Sequence, residues 1–144
     1  CGSRGCWETE VGEEALARRA GLEFSPGVSP VPEIVRRADE GDRETLAALS
    51  EVGRWLGIGI GNLINIFNPD MVVVGGFFDQ LYPYMSGAIE RGAKEIALKA
   101  PFEACAIRPS ELGTKAILIG AAELVLGEVV ADPPALIDGL SAVG

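Results

Sequence analysis

The residues best suited to chemistry stand together at the start of the chain: Cys1-Gly2-Ser3-Arg4-Gly5-Cys6-Trp7-Glu8. Cys1 and Cys6 lie five positions apart, with a glycine after the first and another before the second. That spacing suits a tight knuckle presenting two thiolates to one zinc ion. Zinc takes four ligands, however, and the segment offers two. A pair of metal-free thiols fits the spacing as well. The third cysteine, Cys105, lies far along the chain and reads as a small buried hydrophobe.

Glu8 follows Cys6 by two residues, at a helix start. A carboxylate there stays ionised and can accept hydrogen bonds from two sugar hydroxyls. An ordinary helix-start acid fits the same position, and Glu10, Glu13 and Glu14 read as that. Nothing further supports a glycosidase pair. A third candidate is Val72-Val73-Val74-Gly75-Gly76. Two glycines after a parallel strand let backbone approach a phosphate. The segment lacks the Walker lysine and the dinucleotide fingerprint, and many strand-to-helix turns are glycine-rich for steric reasons alone.

Composition narrows the classes. The 144 residues are 48% hydrophobic and 23% charged, enough for a real core in about one domain. Twelve basic residues against 21 acidic ones give a net charge of −9, which repels nucleic-acid backbones. There is no histidine, so the commonest general base is missing from this chain. Three cysteines make no disulfide framework. The most apolar stretch, Trp55 to Phe67, has 13 residues with three glycines and two asparagines. A membrane span needs about 20 apolar residues. A cytoplasmic setting without a membrane partner is the expectation.

The elements that must position these groups read as helices around a small sheet. Residues 8–20 predict a helix, with acids first and arginines last, stopped by Gly21. Residues 25–32 predict a loop, followed by a short helix to Glu40. Asp42 predicts the cap of a long helix. Leu49, Val52, Leu56, Ile60, Leu63 and Phe67 predict its buried stripe, spaced 3, 4, 4, 3 and 4 apart. Gly53, Gly57 and Gly61 form a second stripe, which predicts a close-packed helix pair. Asn68-Pro69-Asp70 ends the helix, and Val72–Val74 predicts an interior parallel strand. Residues 80–98 and 114–126 predict helices, and Phe102 to Arg108 a second strand. The tail, 128–144, is weakly determined.

These segments together resemble the ROK family (repressors, open reading frames and sugar kinases). The resemblance rests on the cysteine segment, on Gly61-Asn62-Leu63-Ile64-Asn65-Ile66-Phe67-Asn68-Pro69-Asp70-Met71-Val72-Val73-Val74-Gly75-Gly76, and on Leu112-Gly113 with Gly120-Ala121-Ala122. It implies an α/β fold: residues 1–144 as the carboxy-terminal lobe of an actin-like (ribonuclease H-like) protein, helix-rich with a small sheet. It implies that Cys1 and Cys6 are half of a zinc site, whose other Cys and His precede Cys1. It implies that Glu8 binds sugar hydroxyls. Zinc would belong to the intact protein and be weak or absent in this chain alone.

The same resemblance implies that the kinase base, an Asp, and the phosphate-binding glycine motif lie before Cys1. This chain alone would then transfer no phosphate. A winged helix that binds an operator would also lie upstream, so DNA would be contacted only through that domain. Phe77-Phe78 stand where kinases commonly carry a small residue. Lys115 stands near a kinase Asp, and Val11-Gly12 where kinases often show Ser-Gly or Ala-Gly. These departures favour a sugar-responsive regulator over a kinase. In a kinase, Gly75 and Gly76 would meet ATP. A dimerisation module without a ligand is the remaining class, since family members commonly form homo-oligomers through this half.

Overall fold

The computed structural model describes residues 5–131. Cys1 and the tail residues from 132 on, Pro133-Pro134 included, lie outside the described residues. The chain runs α1 (Glu8–Val11), α2 (Glu13–Arg19), α3 (Val31–Asp39), α4 (Arg43–Phe67), β1 (Met71–Val74), α5 (Phe78–Ile96), α6 (Lys99–Ala104), β2 (Ala106–Pro109), a 3₁₀ turn (Gly113–Lys115) and α7 (Ala116–Ala131).

Helix α4 is the spine. Asp42 caps it, its carboxylate accepting the Thr45 backbone N–H at 2.9 Å. Asn68 ends it in the left-handed conformation, φ 44°, donating its N–H to the Ile64 carbonyl. Pro69 then forbids continuation. Leu49, Val52, Leu56 and Ile60 are buried as their spacing predicts, but the stripe then passes to Ile64. Leu63 is 36% and Phe67 70% exposed. A straight helix repeats every 3.6 residues, so one more step of four from Ile60 keeps Ile64 on the core face, while Leu63 and Phe67 turn off it.

The glycine stripe makes the α4–α5 pair. A Cβ at Gly57 would strike the Ile89 carbonyl, and one at Gly61 would stand 2.7 Å from that of Ala93. Gly92 of α5 answers in kind, facing the Arg54 carbonyl. Each glycine costs about 1 kcal/mol of helix propensity. Close backbone approach offsets that through packing of Met85, Ile89 and Ala93 against α4, all fully buried.

Strands β1 and β2 pair in parallel, Met71 opposite Ala106 and Val74 opposite Pro109. Parallel pairing was expected; a fully interior strand was not found. Val74 and Ile107 join the core, whereas Met71 and Val73 are 53% and 58% exposed. The run is apolar on both faces, and among the described residues only one face is covered. The second strand is also shorter than predicted. Phe102, Glu103 and Ala104 close α6, and β2 starts at Ala106. The helix predicted over 8–20 is broken at Gly12, whose ψ of 170° leaves the helical region. The small residues Gly120, Ala121 and Ala122 of α7 are exposed.

Candidate functional site

Glu8 is positioned from both sides. Trp7 anchors the cysteine segment to α4: its indole N–H donates to the Trp55 carbonyl at 2.9 Å. Its ring lies where a side chain at Gly59 would be. Thr9 closes the turn, backbone N–H and hydroxyl both donating to the Cys6 carbonyl, at 3.0 and 2.6 Å. Helix α2 braces α1 through Arg19, which pairs with the Glu10 carboxylate and donates to its carbonyl.

Gly12 then makes room for the carboxylate. A Cβ there would stand 2.5 Å from Glu8 Oε1 and 2.8 Å from the Glu8 carbonyl oxygen. Gly12 was not foreseen in this role. The signal was available: a glycine one helical turn after a candidate acid. The exposed Glu8 carboxylate opens on a cleft of about 340 Å³, lined also by Thr9, Glu13, Arg18, Phe24 and Phe77. Arg18 Nη2 donates to the Thr9 carbonyl at 3.4 Å, and Glu13 accepts the Ser29 hydroxyl.

The glycine turn lies next door. Gly76 has φ 71°, which suits glycine whatever binds there. At Gly75 a Cβ would meet Ser110 at an ordinary 3.5 Å. Phe77 follows, its ring centroid 4.1 Å from that of Phe78, and both rings pack on the core. Phe77 lines the Glu8 cleft and also a second cleft of about 310 Å³ with Val31, Pro32, Gly76, Gln80 and Ile117. One ring is thus the shared wall of two hollows. Asp79 sits at the same turn. Its Oδ1 accepts the Ser110 N–H at 3.3 Å, while Oδ2 is buried without a hydrogen bond.

The metal expectation meets a short donor set. Cys6 is half-buried, and Cys1 lies outside the described residues. Among the described residues no group of three or more Cys, His, Asp or Glu could hold a metal ion. Cys105 is half-buried beside β2, and burial pushes its thiol up. The described residues do not by themselves make a closed zinc site.

The family model for the ROK family matches residues 1–128. The chain belongs to the ROK family. It is 29% identical to the xylose repressor of Bacillus subtilis over 126 residues, covering 88% of this chain and 32% of the repressor. A crystal structure of a ROK family transcriptional regulator, a homologue of E. coli MLC protein, matches with a TM-score of 0.63 and 28% identity, over 76% of this chain and 30% of that one. A ROK glucokinase from Streptomyces griseus, solved with glucose and AMPPNP, matches with a TM-score of 0.67 and 27% identity, over 86% of this chain and 45% of that one. The chain spans about a third of the length of the repressors it matches. The fold is therefore the expected one, a helix-rich α/β unit of the actin-like ROK architecture with a two-stranded sheet. No described helix is long and apolar enough to cross a membrane.

Proposed function

We propose that this ROK chain is the sugar-sensing lobe of a transcriptional regulator, with Glu8 as its sugar ligand. The observation that carries the regulator reading is the lining of the cleft beside Gly76. Val31, Pro32, Phe77 and Ile117 make it largely apolar, and it has no cationic side chain among its described lining residues. Asp79 adds a carboxylate at the same turn. A nucleotide phosphate is best held by donors together with positive charge; Gln80 offers a donor there and the Ser29 hydroxyl is already given to Glu13, but no cation accompanies them among the described lining residues.

The rest of the reading follows from the family. In the intact protein, Cys1 and Cys6 would hold zinc together with a Cys and a His from outside this chain, and no step of the proposed action runs through the metal. The sugar would bias the angle between two lobes, and so the spacing of DNA-binding domains in a homodimer. Operator affinity would respond by the coupling free energy, typically about 1–3 kcal/mol. The likeness to the glucokinase favours the rival, in which Gly75 and Gly76 meet ATP.

One experiment separates the two. The intact protein is titrated with sugar and with ATP, and hexose phosphorylation is followed in a coupled assay. Sugar binding with neither ATP binding nor phosphate transfer is the expected result. ATP-dependent phosphorylation of a hexose makes it a kinase.

A further inference from the structure

Phe77 stands between two hollows and at the root of α7. Its half-buried ring walls the Glu8 cleft of about 340 Å³ and, beside Gly76, the cleft of about 310 Å³. A ring packed on every side is held in one position by its neighbours. Phe77 has space on two sides instead. A ligand that fills one hollow closes that side to the ring and leaves it the other.

The second cleft is bounded on its α7 side by Ile117, in the first turn of that helix. Ile117 is 81% exposed, a rim residue whose seat is loose. Of α7's described residues, all but Ala116 are exposed, so the helix is carried from its root. The loop leading to it is pinned at the same turn. The Ser110 N–H is shared between the Val74 carbonyl at 2.8 Å and Asp79 Oδ1 at 3.3 Å, and the Ser110 hydroxyl accepts the Leu112 N–H at 3.1 Å. Gly113, at φ 57°, stands between that pinned loop and α7. The 16 residues of α7 span about 24 Å, so a tilt of about 10° at the root moves the far end by about 4 Å. We propose that Phe77 is a relay: a sugar in the Glu8 cleft fixes its ring, and the ring sets the seat of Ile117 and with it the tilt of α7. The proposal rests on Glu8 as the sugar ligand and adds the route by which occupancy of that site is passed on.

The test is amide hydrogen exchange on the intact protein, read over residues 113–127, without sugar and with saturating glucose or xylose. Calorimetry establishes which of the two sugars binds. With that sugar, exchange over these amides should change by about fivefold or more, the lower end of typical coupling. Ile117 lies outside the Glu8 cleft, so Ile117→Ala should bind the sugar as the parent does and yet lose that change. Phe77→Ala, compared at a concentration that still saturates it, should lose the change too, and Phe77→Tyr, which keeps the ring, should retain it. Circular dichroism checks folding, and the exposed Ile117→Ala decides alone if Phe77→Ala does not fold. Sugar bound to the parent with exchange unchanged overturns the relay and leaves Glu8 as a sugar ligand. A change that persists in Ile117→Ala overturns it as well. Binding of neither sugar removes the Glu8 reading, and this proposal with it.

Discussion

The Glu8 carboxylate fills the space that a Cβ on Gly12 would need, with Oε1 2.5 Å from that position. The two residues are one helical turn apart, at the break between α1 and α2. Gly12→Ala should therefore act on the acid without touching its charge. Its φ of −69° is open to alanine, so the collision is steric, not conformational. We expect a loss of stability of about 1–3 kcal/mol, as for overpacking, and weaker sugar binding. Urea unfolding and calorimetry measure the two. Unchanged affinity would mean that the carboxylate has room elsewhere.

Glu8→Ala should do the reverse. The side chain is exposed, so stability should change by less than about 0.5 kcal/mol. Sugar affinity in the intact protein should fall by about 1.5–3 kcal/mol, the scale for hydrogen bonds to a charged group. Equal affinities in calorimetry would remove Glu8 from the site.

Gly57→Ala tests the helix pair. Its new Cβ meets the Ile89 carbonyl, which belongs to backbone and cannot rotate away. The helix-propensity gain of about 1 kcal/mol is outweighed by overpacking, and a net loss of about 1–3 kcal/mol is expected. A midpoint in urea at or above that of the parent would show that α4 and α5 can separate without cost.

Glu33 gives a pH dependence. Hydrogen bonds from Arg36 and then Arg37 hold its carboxyl down at about 2, against an ordinary 4.5. A depressed folded pKa contributes stability above the unfolded value and loses it as pH falls through the folded one. The contribution should be complete above about pH 4.5 and fade toward pH 2. Thermal melts of Glu33→Gln should therefore run below the parent at neutral pH and converge with it at the acid end. Parallel curves would assign the stability loss in acid to other carboxylates.

Metal content is the fifth test. This chain has three cysteines and no histidine, so the cysteine segment can offer two of the four ligands zinc takes. Mass spectrometry of the purified chain should find less than one tightly held zinc per molecule. The intact protein should hold one and lose it to a strong chelator. A stoichiometric, chelator-resistant zinc in this chain alone would point to ligands beyond Cys1 and Cys6.

Local signals carried far in this sequence. Asp42 announced its helix because a short acceptor side chain before an apolar period has one good use. Gly53, Gly57 and Gly61 announced a close helix neighbour, and the neighbour is α5. Asn68-Pro69 announced the stop. What failed depended on what lies beside an element. Val73 is as apolar as Val74, and only the tertiary arrangement decides which is covered. Phe102 reads as strand by type, yet it sits in the last turns of α6. At the candidate site, the motif could nominate Glu8 as a ligand. The clearance at Gly12 and the double exposure of Phe77 were not, because each joins residues through space. The link between Glu13 and Ser29 spans 16 positions and leaves no period to read.

The chain has two tryptophans, and both stand at one seam. Trp7 donates its indole N–H to Trp55's backbone, and the Arg54 guanidinium lies 5.9 Å from the centre of the Trp55 ring. Tryptophan emission from this chain therefore comes from a single place, where the cysteine loop rests on α4, one residue from Glu8. A shift of that loop changes the surroundings of the Trp7 indole, whose N–H is held by Trp55's carbonyl. The molecule carries its own optical gauge, readable without a label, one residue away from the candidate ligand Glu8.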